Sequence, residues 1–447
     1  MCGINLVLTQ HSAKIDELAM ALSHRGIRTQ TKSYFNCHAH LSHTRLPIQG
    51  LDPKYDHPLR IGRYSCAFVG EIFNYKRLDP NAESDLLVLL KQFASIGNVF
   101  NLVCDGFWSA IFIDHQEGLI HVITDDLAKK PLYIRKDPLG ISSEINPLKM
   151  LGKNTPDEIY FGAVAKWGYC IEDRTPYNEI KKIPPLTHLV INPYLKQIVK
   201  TINLVPLIPT KRNLRKELTK AVQNRLVSDI PISLLLSGGL DSTIIFELVK
   251  QFTKNFTVFH VDNDESGYLN FLDFKGIEVK ELSFKDTPPE EALWWNETPV
   301  DLGSVRPQYA LSNAIAEHKL NVAISGDGAD ELFGGYGRMK YYDSQWSDIF
   351  HELVYYHLPR LDKLMMANTI ELRNPYLARR VIECALTLPY KDRKNKNYLK
   401  KIFEDLVPEP ILNRKKKALK IDELKEDPFQ YRLNLIKQFK EGVFDEY

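Results

Sequence analysis

The stretch Ile230–Leu236 reads as a buried strand that runs directly into Ser237-Gly238-Gly239-Leu240-Asp241-Ser242, and a helical pattern follows over Thr243–Phe252. This strand–loop–helix passage constrains the fold more than any other feature of the chain. Two glycines let the backbone turn tightly and bring its N–H groups close to a ligand. The helix behind them turns its positive end to the same point, which suits a phosphate or pyrophosphate. Ser237 and Ser242 add hydroxyl donors. Asp241 does not favour a bare phosphate so close, which implies an intervening cation such as Mg²⁺. The loop is not GxxxxGK[ST], because it has no lysine and a shorter spacing.

The surrounding pattern places this loop in a parallel sheet. A helix is expected over Leu214–Ser228 and a strand over Thr257–Val261, and helix alternating with strand argues for a sheet covered on both faces. A second loop follows a short strand at Asn321–Ile324. It reads Ser325-Gly326-Asp327-Gly328-Ala329-Asp330-Glu331-Leu332-Phe333-Gly334-Gly335-Tyr336. Acids and glycines beyond a strand end make an oxygen-rich site suited to Mg²⁺, without the spacing of an EF-hand. The last stretch of the chain is mostly helical and charged.

Before Ile180 the pattern is different. Short alternating strands are expected, among them Cys66–Gly70, Trp108–Asp114 and Leu119–Thr124, with His188–Asn192 beyond. One helix stands out, Ser84–Ala94, with Leu86, Leu87, Leu90 and Phe93 on one face. Five prolines between Ile180 and Thr210 mark the passage to a second domain.

The two loops resemble the SGGxDS loop of the ATP pyrophosphatases and the SG(E/D)G(A/S)DE run of the asparagine synthetase family. The resemblance implies that Ser237, Gly238, Gly239, Asp241, Ser242, Ser325 and Gly326 bind ATP and its pyrophosphate, with Asp241 and Asp330 on Mg²⁺. The N-terminal half carries Cys2-Gly3-Ile4, His24-Arg25-Gly26, Ser42–Ile48, Gly70–Tyr75 and Ser84-Asp85, then Leu127–Tyr133 and Ser142–Ile145. This series is similar to a class II glutamine amidotransferase domain. The fold implied is an αββα N-terminal-nucleophile sandwich over residues 2–195, followed over residues 210–447 by a parallel-sheet α/β ATP-pyrophosphatase domain with a helical C-terminal part.

Removal of Met1 would give Cys2 a free α-amino group, whose pKa near ~8 suits it as general base for its own thiol. By the resemblance Cys2 attacks the glutamine side-chain amide, Arg45 takes the α-carboxylate, Asp85 the α-amino group, and Glu71 lines the site. Gly70 gives one N–H to the oxyanion. The family's asparagine before that glycine is Val69 here, and one lost oxyanion donor typically costs ~2.7–4 kcal/mol. Further on, Leu361-Asp362-Lys363 and Thr369–Ala378 match the family, with Glu371 placed to assist attack by ammonia and Ala378 where an aspartate is usual. Lys416, in Asn413–Lys417, takes the pyrophosphate-facing position. Arg306, in Asp301–Arg306, takes the acceptor's carboxylate.

Bulk properties agree with an ordinary globular chain. A net charge of +2 gives no broad call for nucleic acid or an anionic membrane, and no apolar run reaches the ~18 residues of a membrane span. MCGINLVLTQ lacks the marks of a signal peptide, and the six cysteines form no close pair, so a cytoplasmic protein with reduced thiols is expected. The substrates expected are glutamine, ATP and aspartate, and the resemblance is compatible with a homodimer. Two alternatives stay open: an amidotransferase acting on another carboxylic acid, and a non-catalytic glutamine- or ATP-sensing relative.

Overall fold

The computed structural model describes residues 2–11, 13–96, 104–170, 172–204, 206–261, 266–283, 288–300, 303–336, 351–414 and 427–443. Twelve strands of the first half are β1 (Gly3–Val7), β2 (Arg28–Tyr34), β3 (Ala39–Arg45), β4 (Leu59–Ile61), β5 (Tyr64–Ile72), β6 (Gly106–Asp114), β7 (Leu119–Thr124), β8 (Tyr133–Lys136), β9 (Leu139–Ser142), β10 (Ile180–Lys182), β11 (Thr187–Asn192) and β12 (Gln197–Asn203). They form two six-stranded antiparallel sheets, ordered β10-β8-β9-β1-β3-β2 and β12-β11-β7-β6-β5-β4.

Period-2 alternation decides what each face of these sheets meets. On β5, Ala67 and Val69 turn to the other sheet and join Ile4, Leu6, Leu41, Ile111 and Val122. Cys66 and Phe68 turn the other way, onto Leu86, Leu89, Leu90 and Phe93 of the helix Asp85–Ile96. The far sheet is covered by the helix α1 (Ala13–Ala21), whose Ile15 and Leu18 pack on Val7. The layering is αββα, as expected.

Besides the short helical turns Tyr75–Leu78 and Ile145–Lys149, two longer helices of this half escape the periodicity reading. In α1 only Ile15, Leu18 and Ala19 are buried, too sparse a stripe to stand out. In Glu158–Trp167 the exposed Ile159 and Trp167 blur the apolar face. We label Asp85–Ile96 α2 and Glu158–Trp167 α3.

The second half holds a five-stranded parallel sheet of β13 (Ser233–Leu235), β14 (Thr257–Val261), β15 (Glu278–Leu282), β16 (Val322–Ile324) and β17 (Glu371–Arg373), in the order β15-β14-β13-β16-β17. Helices α4 (Leu214–Arg225) and α5 (Leu240–Lys250) build the large core on one face with Leu234, Val258 and Ile324. Helices α6 (Val305–Ala316) and α7 (Leu358–Met366) cover the other, where Ile315, Leu361 and Met365 meet Phe259 and Ala323. Strand β13 is shorter than the expected Ile230–Leu236 because Pro231 has no N–H for the ladder. Helix α5 starts three residues early, at Leu240, with Gly239 as its N-cap, so Asp241 and Ser242 sit in its first turn. Among the described residues no helix is long and apolar enough to cross a membrane.

Candidate active site

The sequence places Cys2 immediately before β1, and the register of the sheet decides its neighbour. Gly3 pairs with Thr44, so Arg45 comes level with Cys2. The Cys2 thiol is buried, which pushes it up, while the chain's N-terminal charge and Arg45 pull it down. Arg45 is held by Asp56 Oδ1 at 2.8 Å and by the carbonyls of Gln49 and Gly50 at 2.9 and 2.8 Å. Gln49 donates its side-chain amide to Glu71. Asp85 opens α2 and accepts from the N–H groups of Ile72 (3.0 Å) and Leu86 (2.9 Å).

Two carboxyls in this buried space are pushed upward. Burial raises Glu71 well above the ordinary glutamate range, helped by the nearby charges of Glu371 and Asp85. Burial likewise pushes Asp85 up to about 6. Gly70 has φ +125°, and a Cβ there would stand 1.9 Å from the Phe107 carbonyl oxygen, so only glycine fits. Val69 faces the apolar space between the sheets and offers no donor.

The second centre lies beyond the carboxyl ends of β13 and β16, where open parallel sheets place ligands. A cavity of about 870 Å³ is lined there by Ser237, Asp241, Ser242, Ser325, Gly326 and Asp330, among others. The two loops touch: a Cβ on Gly326 would meet the backbone of Asp241 and Ser242 at 3.0–3.1 Å. Ser237 Oγ lies 3.1 Å from Ser242 Oγ and accepts from the Gly239 N–H at 3.3 Å. Gly238 takes a left-handed φ of +72°.

Asp241 and Asp330 converge on a residue that motif reading missed, Lys396. Its ammonium pairs with Asp241 and lies 2.5 Å from Asp330 Oδ1. Burial works against that ammonium, but the two carboxylates outweigh it and hold Lys396 charged well above the usual lysine range. Gly335 is needed beside them, since a Cβ there would overlap Asp330 and Lys396. Arg414 donates to the Gly238 carbonyl at 2.9 Å. Lys416 lies outside the described residues.

Two expected site residues stand elsewhere. Arg306 does not line this cavity. Ser304, Gln308 and Leu311 do, at helical spacing, and a residue two positions after Ser304 turns to the opposite side of the helix. Glu371 is the first residue of β17, hence at the amino end of the sheet, away from the cavity. It is fully buried, bonded to Arg373 Nε at 2.7 Å, and its charge acts on Glu71 and Asp85.

The remaining motif residues meet in one buried network between the halves. Arg25 reaches Glu144 (2.6 Å) and Asp362 (2.7 Å), and its Nε donates to the Cys2 carbonyl at 3.0 Å. Lys130 also pairs with Asp362, at 2.8 Å. Lys363 pairs with Glu297 at 2.8 Å, which in turn accepts the N–H groups of Ile145 and Asn146.

The family model for asparagine synthase matches residues 213–351 and 342–441, and that for a glutamine amidotransferase domain matches residues 1–197. The chain belongs to the asparagine synthase family. Among family members it is 27% identical to a putative asparagine synthetase [glutamine-hydrolyzing] 2 of Methanocaldococcus jannaschii, over 75% of this chain and 76% of that protein. It is 26% identical to asparagine synthetase [glutamine-hydrolyzing] 3 of Arabidopsis thaliana, over 93% of this chain and 78% of that one. Among solved structures it is similar to a glutamine phosphoribosylpyrophosphate amidotransferase from B. subtilis, at a TM-score of 0.35 and 14% identity over 73% of this chain and 75% of that one.

In this family member Asp362 carries the junction's charge balance. Burial pushes its carboxyl up, but Arg25 and Lys130 outweigh that and hold it at about 2. Replacing Asp362 by asparagine leaves the buried Lys130 without its carboxylate and Arg25 with Glu144 alone, and a loss of about 3–5 kcal/mol in denaturant unfolding is expected. The folded carboxyl lies below its unfolded value of ~3.9, so its contribution is present above that pH and lost as pH falls toward 2. Wild-type stability should therefore drop on the acid side more steeply than that of Asp362→Asn. Equal acid-side slopes would contradict this account.

Proposed function

We propose that the chain is a glutamine-dependent carbon–nitrogen ligase that makes asparagine from aspartate. We take residues 2–195 as its glutaminase domain and residues 210–447 as its synthetase domain. The observation that carries the reading is the meeting of the two loops, with Asp241 and Asp330 on one cationic point beneath a large cavity.

In the synthetase cavity the side-chain carboxylate of aspartate attacks the α-phosphorus of ATP, and pyrophosphate leaves as the acyl-adenylate forms. Ser237, Ser242 and the N–H groups around Gly238 and Gly239 receive the phosphates at the start of α5. Among the described residues no cluster of three or more His, Cys, Asp or Glu forms a cage for a metal. Two convergent carboxylates do suit Mg²⁺, which takes one or two of them beside substrate phosphates. Asp241 and Asp330 would hold it, and it would neutralise phosphate charge.

In the thiol centre Cys2 Sγ attacks the amide carbon of glutamine. Ammonia leaves, and water later hydrolyses the thioester to glutamate. Arg45 faces the α-carboxylate and Asp85 the α-ammonium. Gly70 supplies one oxyanion N–H, and with Val69 beside it the second donor is absent from that position. Ammonia then displaces AMP from the adenylate and the amide forms. Glu371, between the centres, serves the nitrogen's passage rather than the phosphates.

The test is release of pyrophosphate from Mg·ATP with aspartate present or absent, with ammonium or glutamine as donor. Pyrophosphate only with aspartate, and faster turnover with ammonium than with glutamine, is the expected result. Pyrophosphate release indifferent to every acid offered would contradict the reading.

A pH dependence follows from Asp85. Its carboxyl, raised to about 6, must be ionised to hold an ammonium group. The kcat/KM for glutamine should fall about tenfold per pH unit below that value. A profile flat down to pH ~4.5 would remove Asp85 from glutamine binding.

A further inference from the structure

The N-cap of α6, the π-helical turn Leu353–His357 and α7 behind it bring a second set of polar groups to the large cavity, away from the two loops: Ser304, Tyr356 and Arg360. Arg360 is only 8% exposed. Its Nη1 donates to Ser304 Oγ and reaches the Tyr356 hydroxyl at 3.4 Å, and those two hydroxyls are 2.6 Å apart. Its guanidinium carbon stands 5.1 Å from the centre of the Tyr356 ring. All these partners are neutral. Among the described residues no carboxylate stands within ion-pair distance of Arg360, and its buried Nε finds no hydrogen-bond partner. Arg25 and Arg373, both fully buried, each have a carboxylate at 2.7 Å or less.

Asp327, across the same cavity, favours the charged guanidinium from beyond ion-pair distance, but a buried guanidinium with no carboxylate in contact is costly unless an anion arrives to complete it. Its planar fork matches a carboxylate through two parallel hydrogen bonds. The phosphates of ATP already have their receivers in the loops after β13 and β16, so a different anion is wanted here.

We infer that Arg360, oriented by Ser304 and Tyr356, binds the acceptor's second carboxylate, the one that is not amidated, and so selects dicarboxylic over monocarboxylic acids. This rests on the ligase reading above. It also gives the Asp301–Arg306 stretch a different contribution from the one its arginine implied. Ser304 acts through Arg360, while the guanidinium comes from α7.

The test uses the full-length chain as wild type, Arg360→Gln and Arg360→Lys. Pyrophosphate exchange into ATP is followed with aspartate, glutamate and succinate, and with β-alanine, which keeps the reacting carboxylate of aspartate and lacks the other. Wild type should favour aspartate over β-alanine by about 10²-fold or more. In Arg360→Gln the KM for aspartate should rise by about 10²-fold, with the KM for ATP within about twofold, and the preference should collapse. Arg360→Lys should recover part of it. A preference intact in Arg360→Gln, or a rise confined to the KM for ATP, would overturn the assignment.

Calorimetric binding of aspartate and succinate in the presence of a non-hydrolysable ATP analogue separates this assignment from the ligase reading. If no acid supports exchange in wild type, the ligase reading fails. Dicarboxylate binding that Arg360→Gln abolishes still supports the anchor, and binding that is equal in both proteins, or absent from both, overturns it.

Discussion

With Cys2 replaced by alanine, glutamine-dependent amide formation should fall by about 10³-fold or more, while ammonium-dependent formation stays within about twofold of wild type. The first half of that expectation follows from removing the nucleophile placed level with Arg45, where Arg45 and Glu71 both act on its thiol. The second half follows from architecture. Cys2 stands at the amino end of β1, inside the core between the antiparallel sheets, whereas the phosphate loops sit beyond the carboxyl ends of β13 and β16. Alanine removes one sulfur from a buried position, a loss of volume that a core tolerates at modest cost. Quantifying asparagine from each donor checks both halves. An equal loss from both donors would mean that Cys2 supports the synthetase centre as well.

The complementary result is expected at Asp241 and Asp330. Asp241→Asn or Asp330→Asn should lower pyrophosphate release by roughly 10²–10³-fold with either nitrogen donor, and leave glutamine hydrolysis at Cys2 within about twofold. Each change removes one of the two carboxylates that face Lys396. The excess positive charge then falls on one acid, and the oxygen pair suited to Mg²⁺ is broken. The partners keep about a fifth of their side-chain surface in solvent, so a fold-wide collapse is not expected. Thermal unfolding and glutaminase activity on the same preparations check that. If either variant keeps full pyrophosphate release, the loops do not serve ATP as argued.

How much of this was readable in the sequence depends on the distance over which each group acts. The αββα layers and the parallel sheet were legible, because β-strand alternation and helix–strand alternation are local signals. Ser237, Asp241, Ser325 and Asp330 were legible for the same reason, as each loop carries its glycines and acids within a few residues. Lys396 was not. It lies in a lysine-rich stretch that reads as a solvated surface, and only the fold brings it beneath the two loops.

Arginine posed a subtler problem. Sequence pattern pointed to Arg306, but helix geometry turns that residue away and offers Arg360, whose neighbours Pro359 and Leu361 make it look like part of an apolar face. Glu371 was placed by resemblance to assist attack by ammonia, and its position depends on β17 being a strand at the sheet's edge. A three-residue strand inside a helical stretch leaves no periodicity to detect. Arg25, Lys130, Glu144, Asp362 and Lys363 were visible as parts of separate motifs. That they form one buried network emerges only when the two halves are packed together.

The central claim is that one chain moves nitrogen from glutamine to an activated acid. It is tested most directly with glutamine labelled with ¹⁵N in its side-chain amide, together with Mg·ATP and aspartate and with no added ammonium. The account predicts asparagine whose amide carries the label, with one pyrophosphate released for each asparagine formed. Pyrophosphate without labelled asparagine, or labelled ammonia released while no asparagine appears, would contradict it.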